Sequence, residues 1–357
     1  MAVGDVAQRA SVIGTGLIGG SIGLALRALG WHVSGTDADP AAARRAQELG
    51  AIDAIGIDPL STITFVAVPV RATADAVRHA LAETTGAVTD AGSVKAGVVA
   101  EVQDPRFIGG HPMAGSEQLG VEGSDPEMFQ GAVWVLTPTV ATDPDCHAVV
   151  RGVVRTLGAD VVELPPERHD ALVAVVSHVP HLTAAALMGI ADERAEEHAA
   201  LLRLAAGGFR DMTRIAAGTP TIWPDICGEN QVAIVEVIDQ LTSELGRLRS
   251  FVAGDDRAGL LAVLERAQAA RRNLPSRVVH PEALVEVRVP ILDRPGGIAE
   301  VSTLAAELGV NIADLEIAHS SEGDRGVLIL VVDREGVEAF RSGLVALGYR
   351  PTATPLG

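Results

Sequence analysis

The sequence is short of cysteine, of positive charge, of aromatic rings and of long apolar runs, and most of these shortages remove a class of function. Cys146 and Cys227 are its two cysteines in 357 residues. They provide neither a disulfide framework nor a Cys-x-x-Cys metal knuckle, so a reducing cytoplasm is the expected setting. Lys and Arg number 28 against 46 Asp and Glu, a formal net charge of −18. A chain this acidic has no broad positive field for phosphate backbones, which argues against nucleic acid as a partner. Apolar runs such as Phe65 to Val70 are far too short to cross a bilayer, and Met1 to Gln8 lacks the charged and apolar regions of a signal peptide. No membrane is expected. A single tyrosine beside abundant Ala, Gly, Arg and Asp suggests a GC-rich genome and carries no functional message. What remains is the composition of a folded protein: 48% hydrophobic and 21% charged residues exclude general disorder. The length calls for two or three domains.

The first third alternates short apolar runs with amphipathic stretches. Ala10 to Gly14, Trp31 to Asp37, Phe65 to Val68 and Ala87 to Asp90 read as strands, with Phe107 to Gly109 and Val133 to Thr137 extending the sheet. Helical patterns over Ser21 to Leu29 and Pro40 to Leu49 separate the first of them. This alternation predicts βαβ units and a Rossmann-type, doubly wound parallel sheet over residues 9–165. Pro165-Pro166 then break the pattern. From there to residue 275 only helical spacing remains, at 170–192, 229–252 and 256–272, and helices so apolar all round predict an all-α dimerisation domain. Asn273 to Pro281 reads as a linker. Residues 283–357 carry alternation at Val285, Val287 and Val289, then helix, two strands, helix and strand, the βαββαβ order of a ferredoxin-like unit.

Three constellations carry chemistry. Gly14-Thr15-Gly16-Leu17-Ile18-Gly19 follows the first strand and opens the first helix, and Asp37 ends the second strand. Gly14 permits the tight turn, Gly16 admits a pyrophosphate to the backbone amides, and Gly19 packs helix against strand. Asp37 would accept both adenosine ribose hydroxyls and repel a 2′-phosphate, which favours NAD over NADP. The second constellation is Asp90-Ala91-Gly92-Ser93-Val94-Lys95 with Gly109-Gly110-His111-Pro112, at the carboxyl ends of strands where an open α/β sheet binds ligands. His111, set among glycines and beside a proline, reads as a functional histidine in a loop of fixed shape. A neutral imidazole there could take a hydroxyl proton while a hydride leaves the same carbon. The third constellation is helical: Ser177-His178-Val179-Pro180-His181, and Gly207-Gly208-Phe209-Arg210-Asp211-Met212-Thr213-Arg214 ahead of Thr219 to Trp223. The His-x-x-His pair has no nearby carboxylate or cysteine to complete a metal set, so no metal is expected. One of the arginines could grip a carboxylate with bidentate geometry.

GTGLIGGSIGLAL, DAGSVK, GGHPMAGSE, VVSHVPH and GGFRDMTRIA…TIWPDI, in this order, resemble the motifs of the prephenate dehydrogenase family over residues 9 to about 275. The tail from about residue 283 is similar to an ACT domain, a module that commonly binds amino acids. The resemblance implies that His111 is the catalytic base and that Ser93 orients it beside the nicotinamide. It implies that Arg214 binds a substrate carboxylate, that His181, Glu117 and Trp223 line the pocket, and that Gly207 contributes through its backbone. The implied reaction is oxidation of prephenate by NAD with loss of carbon dioxide, giving 4-hydroxyphenylpyruvate. Arogenate, which carries an amino group on the side chain, is the rival substrate, and Glu117 or Asp211 could serve its ammonium. The Lys base and GGxxxGxxxN-type helix of the β-hydroxyacid dehydrogenases are missing. A non-catalytic sensor of NAD and an amino acid is the reading from another class; the intact Ser93, His111 and Arg214 set argues against it. The tail is expected to answer to an aromatic amino acid, and the whole to be a cytoplasmic homodimer.

Overall fold

A computed structural model describes residues 8–115, 118–197, 204–272, 284–292, 294–319 and 325–355. Ser116, Glu117, Asp293, the Asn273 to Pro281 linker and the Ser320 to Gly323 turn lie outside the described residues. The chain divides into two units. One comprises Met1–Ala185 with Ile215–Ser243, the other Ala186–Arg214 with Glu244–Gly357.

In the first unit, β1 (Arg9–Ile13), α1 (Leu17–Ala28), β2 (His32–Thr36), α2 (Pro40–Glu48), β3 (Ala54–Ile55), β4 (Ile63–Val66), α3 (Thr73–Glu83), β5 (Ala87–Asp90), α4 (Ala96–Glu101) and β6 (Phe107–Pro112) follow in order. Then come β7 (Val133–Thr137), α5 (Pro144–Thr156) and β8 (Asp160–Glu163). The eight strands lie in the order β3-β2-β1-β4-β5-β6-β7-β8. The neighbours from β3 to β6 are parallel, as the alternation predicts, and Val12, Phe65, Val88 and Ile108 are fully buried between the helical layers. The sheet departs from a wholly parallel one at a single joint: β7 runs antiparallel to β6, and β8 is parallel to β7. The cause is local. The described residues of 113–132 hold only a one-turn 3-10 segment (Val121–Gly123), not the crossover helix a parallel return needs.

Pro166 then starts a continuous helical run: α6 (Pro166–Val173), a π-turn at Ala174–His178, and α7 (Val179–Glu197). Its stretch Pro166–Arg194 is 29 residues, long and apolar enough by length and composition to cross a bilayer, which no run visible in the sequence suggested. It nevertheless carries His169, Asp170 and His178 fully or almost fully buried within its unit. Pro180 accounts for the π-turn. Its ring would clash with the carbonyl of Val176 in a regular helix, and widening the preceding turn relieves the clash. The run is followed by α8 (Gly207–Thr213), α9 (Trp223–Glu229), α10 (Gln231–Ala253) and α11 (Arg257–Arg272).

The tail, which belongs to the second unit, runs β9 (Leu284–Leu292), α12 (Gly297–Glu307), β10 (Ile312–His319), β11 (Arg325–Asp333), α13 (Val337–Ala346) and β12 (Thr352–Pro355). Its strands form an antiparallel sheet in the order β10-β11-β9-β12. Val287 and Val289 face one way with Val301, Leu330 and Phe340, a core of the tail's own. The Glu286 and Arg288 positions fall on the more exposed face, as period-two alternation requires.

Candidate active site

The glycine-rich turn is built as the motif predicts. Gly14 has φ +89°, which an L side chain rarely adopts, and its amide donates to Thr36 O at 2.8 Å, closing β1 onto β2. A Cβ on Gly19 would overlap the Gly14 carbonyl, so helix and strand meet there without room for any side chain. Gly16 caps α1, and a Cβ on it would meet nothing within 4 Å. The space in front of the free amides of Leu17 and Ile18 is therefore open, and a phosphate group fits where that Cβ would point. Asp37 stands at the end of β2. Its carboxylate accepts the Thr15 amide at 2.8 Å, the Thr15 hydroxyl at 3.2 Å and the Asp39 amide at 3.0 Å. These bonds hold the acid beside the turn with a lone pair to spare, an acceptor suited to a dinucleotide's ribose next to the amide donors of the turn.

His111 lies on strand β6, which corrects the expectation of a loop. The glycines before it answer to packing. A Cβ on Gly110 would come within 2.6 Å of Asp90 O and 2.7 Å of Thr89 Oγ1, and 3.0 Å of Trp134 Nε1. β6 leaves β5 after two paired residues, Phe107 and Ile108, and runs on against β7. Asp90 bridges the gap that opens: its Oδ1 accepts the Gly110 amide at 3.1 Å and its Oδ2 the Gly92 amide at 2.9 Å. Lys95 completes the arrangement with a buried ion pair to Asp90, both side chains fully excluded from solvent.

The orienting contact of His111 differs from the one the resemblance implies. No hydrogen bond joins it to Ser93. Ser93 sits half-buried in the turn between β5 and Lys95. Instead His111 Nδ1 meets His169 Nε2 at 2.8 Å, with the rings edge to face at 73°. His169 Nδ1 meets Asp170 Oδ1 at 2.7 Å, and Asp170 accepts the amides of Lys95 and Ala96, both at 2.8 Å. Burial, then the neighbouring His169, Lys95 and His178, holds the His111 pKa well below 6.5, so the imidazole is neutral at physiological pH.

The π-turn sets the other side of the group. Nine residues of regular helix would place His178 on the face opposite His169, about 180° away at about 100° per residue. The extra residue of a π-turn cuts that to roughly 80°. One side chain confirms the shared side: Asn230 Nδ2 donates to Asp170 O at 2.9 Å and to His178 Nδ1 at 3.2 Å. Burial pushes the His178 pKa down to about 4. His181 lies flat on Trp223, with centroids 3.7 Å apart and planes within 13°, while His178 stands edge-on to the same indole at 6.2 Å.

The structure thus brings Ser93, His111, His181 and Trp223 into the unit that carries Gly14 and Asp37. Gly207, the first residue of α8, and Arg214, at the start of the 3-10 turn Arg214–Ala217, are counted with the second unit. Asp90, Lys95, His169, Asp170 and Asn230 are the polar residues that the motifs did not single out for a role. Asp90 and Lys95 bracket the DAGSVK motif, and a His-Asp pair just inside a Pro-started helix was the one local trace of His169 and Asp170.

Comparison with known proteins fits this geometry. The family model described as prephenate dehydrogenase, nucleotide-binding domain, matches residues 22–163, and the one described as prephenate dehydrogenase, dimerization domain, matches residues 165–266. Prephenate dehydrogenase of Bacillus subtilis is 33% identical over 332 residues, 88% of this chain and 89% of that protein. The chain belongs to the prephenate dehydrogenase family. Cyclohexadienyl dehydrogenase of Zymomonas mobilis is also 33% identical, over 74% of this chain and 96% of that one. Among solved structures, prephenate dehydrogenase from A. aeolicus in complex with hydroxyphenyl propionate and NAD+ aligns with a TM-score of 0.69 at 31% identity, covering 74% of this chain and 97% of that one. Synechocystis arogenate dehydrogenase aligns at 0.64 and 29%, covering 74% and 99%. The tail lies beyond both family-matched segments.

Proposed function

We propose that the protein catalyses the NAD-dependent oxidative decarboxylation of prephenate to 4-hydroxyphenylpyruvate. The observation that carries this is a neutral, partly buried His111, held in place beside strand ends, in a chain of this family. NAD+, when bound, supplies the hydride acceptor. The amides of Gly16, Leu17 and Ile18, presented by the Gly14 turn and the Gly19 packing, would hold its pyrophosphate, and Asp37 would take the adenosine ribose and turn away a 2′-phosphate. His111 removes the proton from the ring hydroxyl, and Ser93 stands on the nicotinamide side. His181 and Trp223 line the substrate pocket; the family motifs give Arg214 the substrate carboxylate and make Glu117 and the Gly207 backbone further substrate contacts. Loss of carbon dioxide makes the ring aromatic and drives the reaction forward, so the protein's own task is to position groups and stabilise charge.

The division into residues 9–165, 166–275 and 283–357 goes with this reading. The middle part forms a homodimer through apolar side chains exposed in the single chain, among them Val232 and Val252 of α10 and Leu261 and Leu264 of α11. The tail is an ACT domain that makes the enzyme answer to an aromatic amino acid, most naturally tyrosine. Its separate core supports independent folding. A cytoplasmic setting agrees with two unpaired cysteines. The test is NADH formation with prephenate against arogenate and NAD+ against NADP+. Turnover with prephenate and NAD+ supports the proposal, and turnover confined to arogenate transfers it to the rival substrate. A chain ending near residue 281 should stay active and lose any inhibition by tyrosine, phenylalanine or tryptophan; inhibition that survives removes the tail from regulation.

A further inference from the structure

With His169 neutral, the hydrogen bonds around His111 leave one assignment of protons. Both Asp170 oxygens already accept backbone amides, so toward His169 the carboxylate is an acceptor and His169 Nδ1 carries a proton. In neutral His169 the Nε2 atom is then bare and must accept. Its partner, His111 Nδ1, is therefore the donor, and the lone pair of His111 sits on Nε2. We propose that His169 and Asp170 are positioning residues for the reaction: they lock His111 in the tautomer whose Nε2 receives the substrate proton, and they stabilise the imidazolium that results.

The inference rests on the function proposed above and adds its proton path. As the hydride leaves the ring carbon for NAD+, the hydroxyl O–H bond breaks and an N–H bond forms at His111 Nε2. His111 then carries a positive charge and still donates Nδ1–H to His169, which is polarised by Asp170. When carbon dioxide departs, its bonding electrons enter the ring and leave a phenolate oxygen, which takes the proton back from Nε2. No net proton is released, and the base is reset within the turnover. The groups facing His111 divide by sign. Lys95 and protonated forms of His169 or His178 oppose a charge on it, and Asp90 neutralises Lys95. That leaves Asp170, relayed through His169, to support the imidazolium. The logic is that of a Ser-His-Asp triad with a second imidazole between base and acid.

The experiment uses the full chain. Asp170→Asn lets the new amide donate to His169 Nδ1, which moves the His169 proton to Nε2 and turns His111 into the wrong tautomer. In the triad the same exchange lowers kcat by about 10⁴-fold. We expect kcat with prephenate to fall by roughly 10³–10⁴-fold while KM and the affinity for NAD+ stay within about threefold. His169→Gln, whose amide oxygen can still accept from His111 Nδ1, should lose much less. Nitrogen-15 NMR of labelled histidines, with His111 assigned by its loss in His111→Asn, should show Nδ1–H in the wild type and Nε2–H in Asp170→Asn. A wild-type His111 protonated on Nε2, or an Asp170→Asn enzyme within threefold of normal kcat, overturns the proposal. The wild-type spectrum decides the tautomer even if Asp170→Asn does not fold. It also does so if the wild type fails to oxidise prephenate, an outcome that would refute the functional reading instead.

Discussion

Lys95 should be the most costly residue to remove without touching the reaction directly. Its ammonium is fully buried and paired with an equally buried Asp90. Burial outweighs the attraction of Asp90 and holds the Lys95 pKa below 10.5, so the pair as a whole is a weak source of stability. Removing one half is a different matter. In Lys95→Met the Asp90 carboxylate keeps only the Gly92 and Gly110 amides, and an uncompensated buried charge costs about 3–5 kcal/mol. Adding Asp90→Asn should recover at least half of that loss, because the orphaned charge goes with it. All three tryptophans, Trp31, Trp134 and Trp223, belong to the first unit, so denaturant unfolding followed by tryptophan fluorescence reads this unit alone. If Lys95→Met unfolds within about 1 kcal/mol of wild type, or the double variant is no better than the single one, the pair does not hold β5 and β6 as described.

Three further outcomes are expected. Asp37→Ser should weaken NAD+ and open the site to NADP+, since the ribose acceptor and the repelling charge go together; an unchanged ratio of kcat/KM for the two cofactors would remove Asp37 from that role. His111→Asn should retain substrate binding and lose about 10²–10⁴-fold in kcat, and the wild-type rate should hold at pH 6.5 and fall only as the pH drops through the lowered His111 pKa; normal turnover in the variant would mean another base. Folding stability should also depend on acid. The unfolded chain takes up a proton at His178 below pH 6.5 and the folded chain only near pH 4, so stability is full above 6.5 and falls by about 2 kcal/mol by pH 5 from this residue alone. His178→Gln should flatten that slope in denaturant unfolding at pH 7 and 5, and parallel slopes for both proteins would show that His178 is not the cause.

The parts of the molecule that are legible in the sequence are those whose signal is local. The turn from Gly14 to Gly19, Asp37 one strand later, and the alternating Val285, Val287 and Val289 all need only a few residues of context. The joint between β6 and β7 was not legible. Glycines at 109 and 110 look like a loop, yet they lie on a strand where Thr137 beside Gly109, and Asp90 and Thr89 beside Gly110, leave no space for a side chain. His169 and Asp170 were missed for a related reason. Their partners are far away along the chain: His169 is 58 residues from His111, and Asp170 is 75 residues from Lys95. A single sequence does not record that α6 docks on α4. The role expected for Ser93 was assigned through the same gap, since the true neighbour of His111 lies on an element that had no motif.

The π-turn makes the helix a counting device. Between His169 and His181 the site depends on how many residues the chain spends, not only on which residues they are. Deleting Val175 or Val176, both exposed and without catalytic chemistry, would return the segment to a regular helix. His178 would then follow His169 by eight residues of regular helix, about 80°, which is the angle it already has. His178 would keep its direction toward Asn230, and His181 its place on the face of Trp223. The π-turn thus holds one residue in reserve: loss of Val175 or Val176 alone should forfeit the relief of the Pro180 clash yet keep the directions of the pocket, whereas loss of both would turn everything after them by about 100° and take His178 from Asn230 and His181 from Trp223.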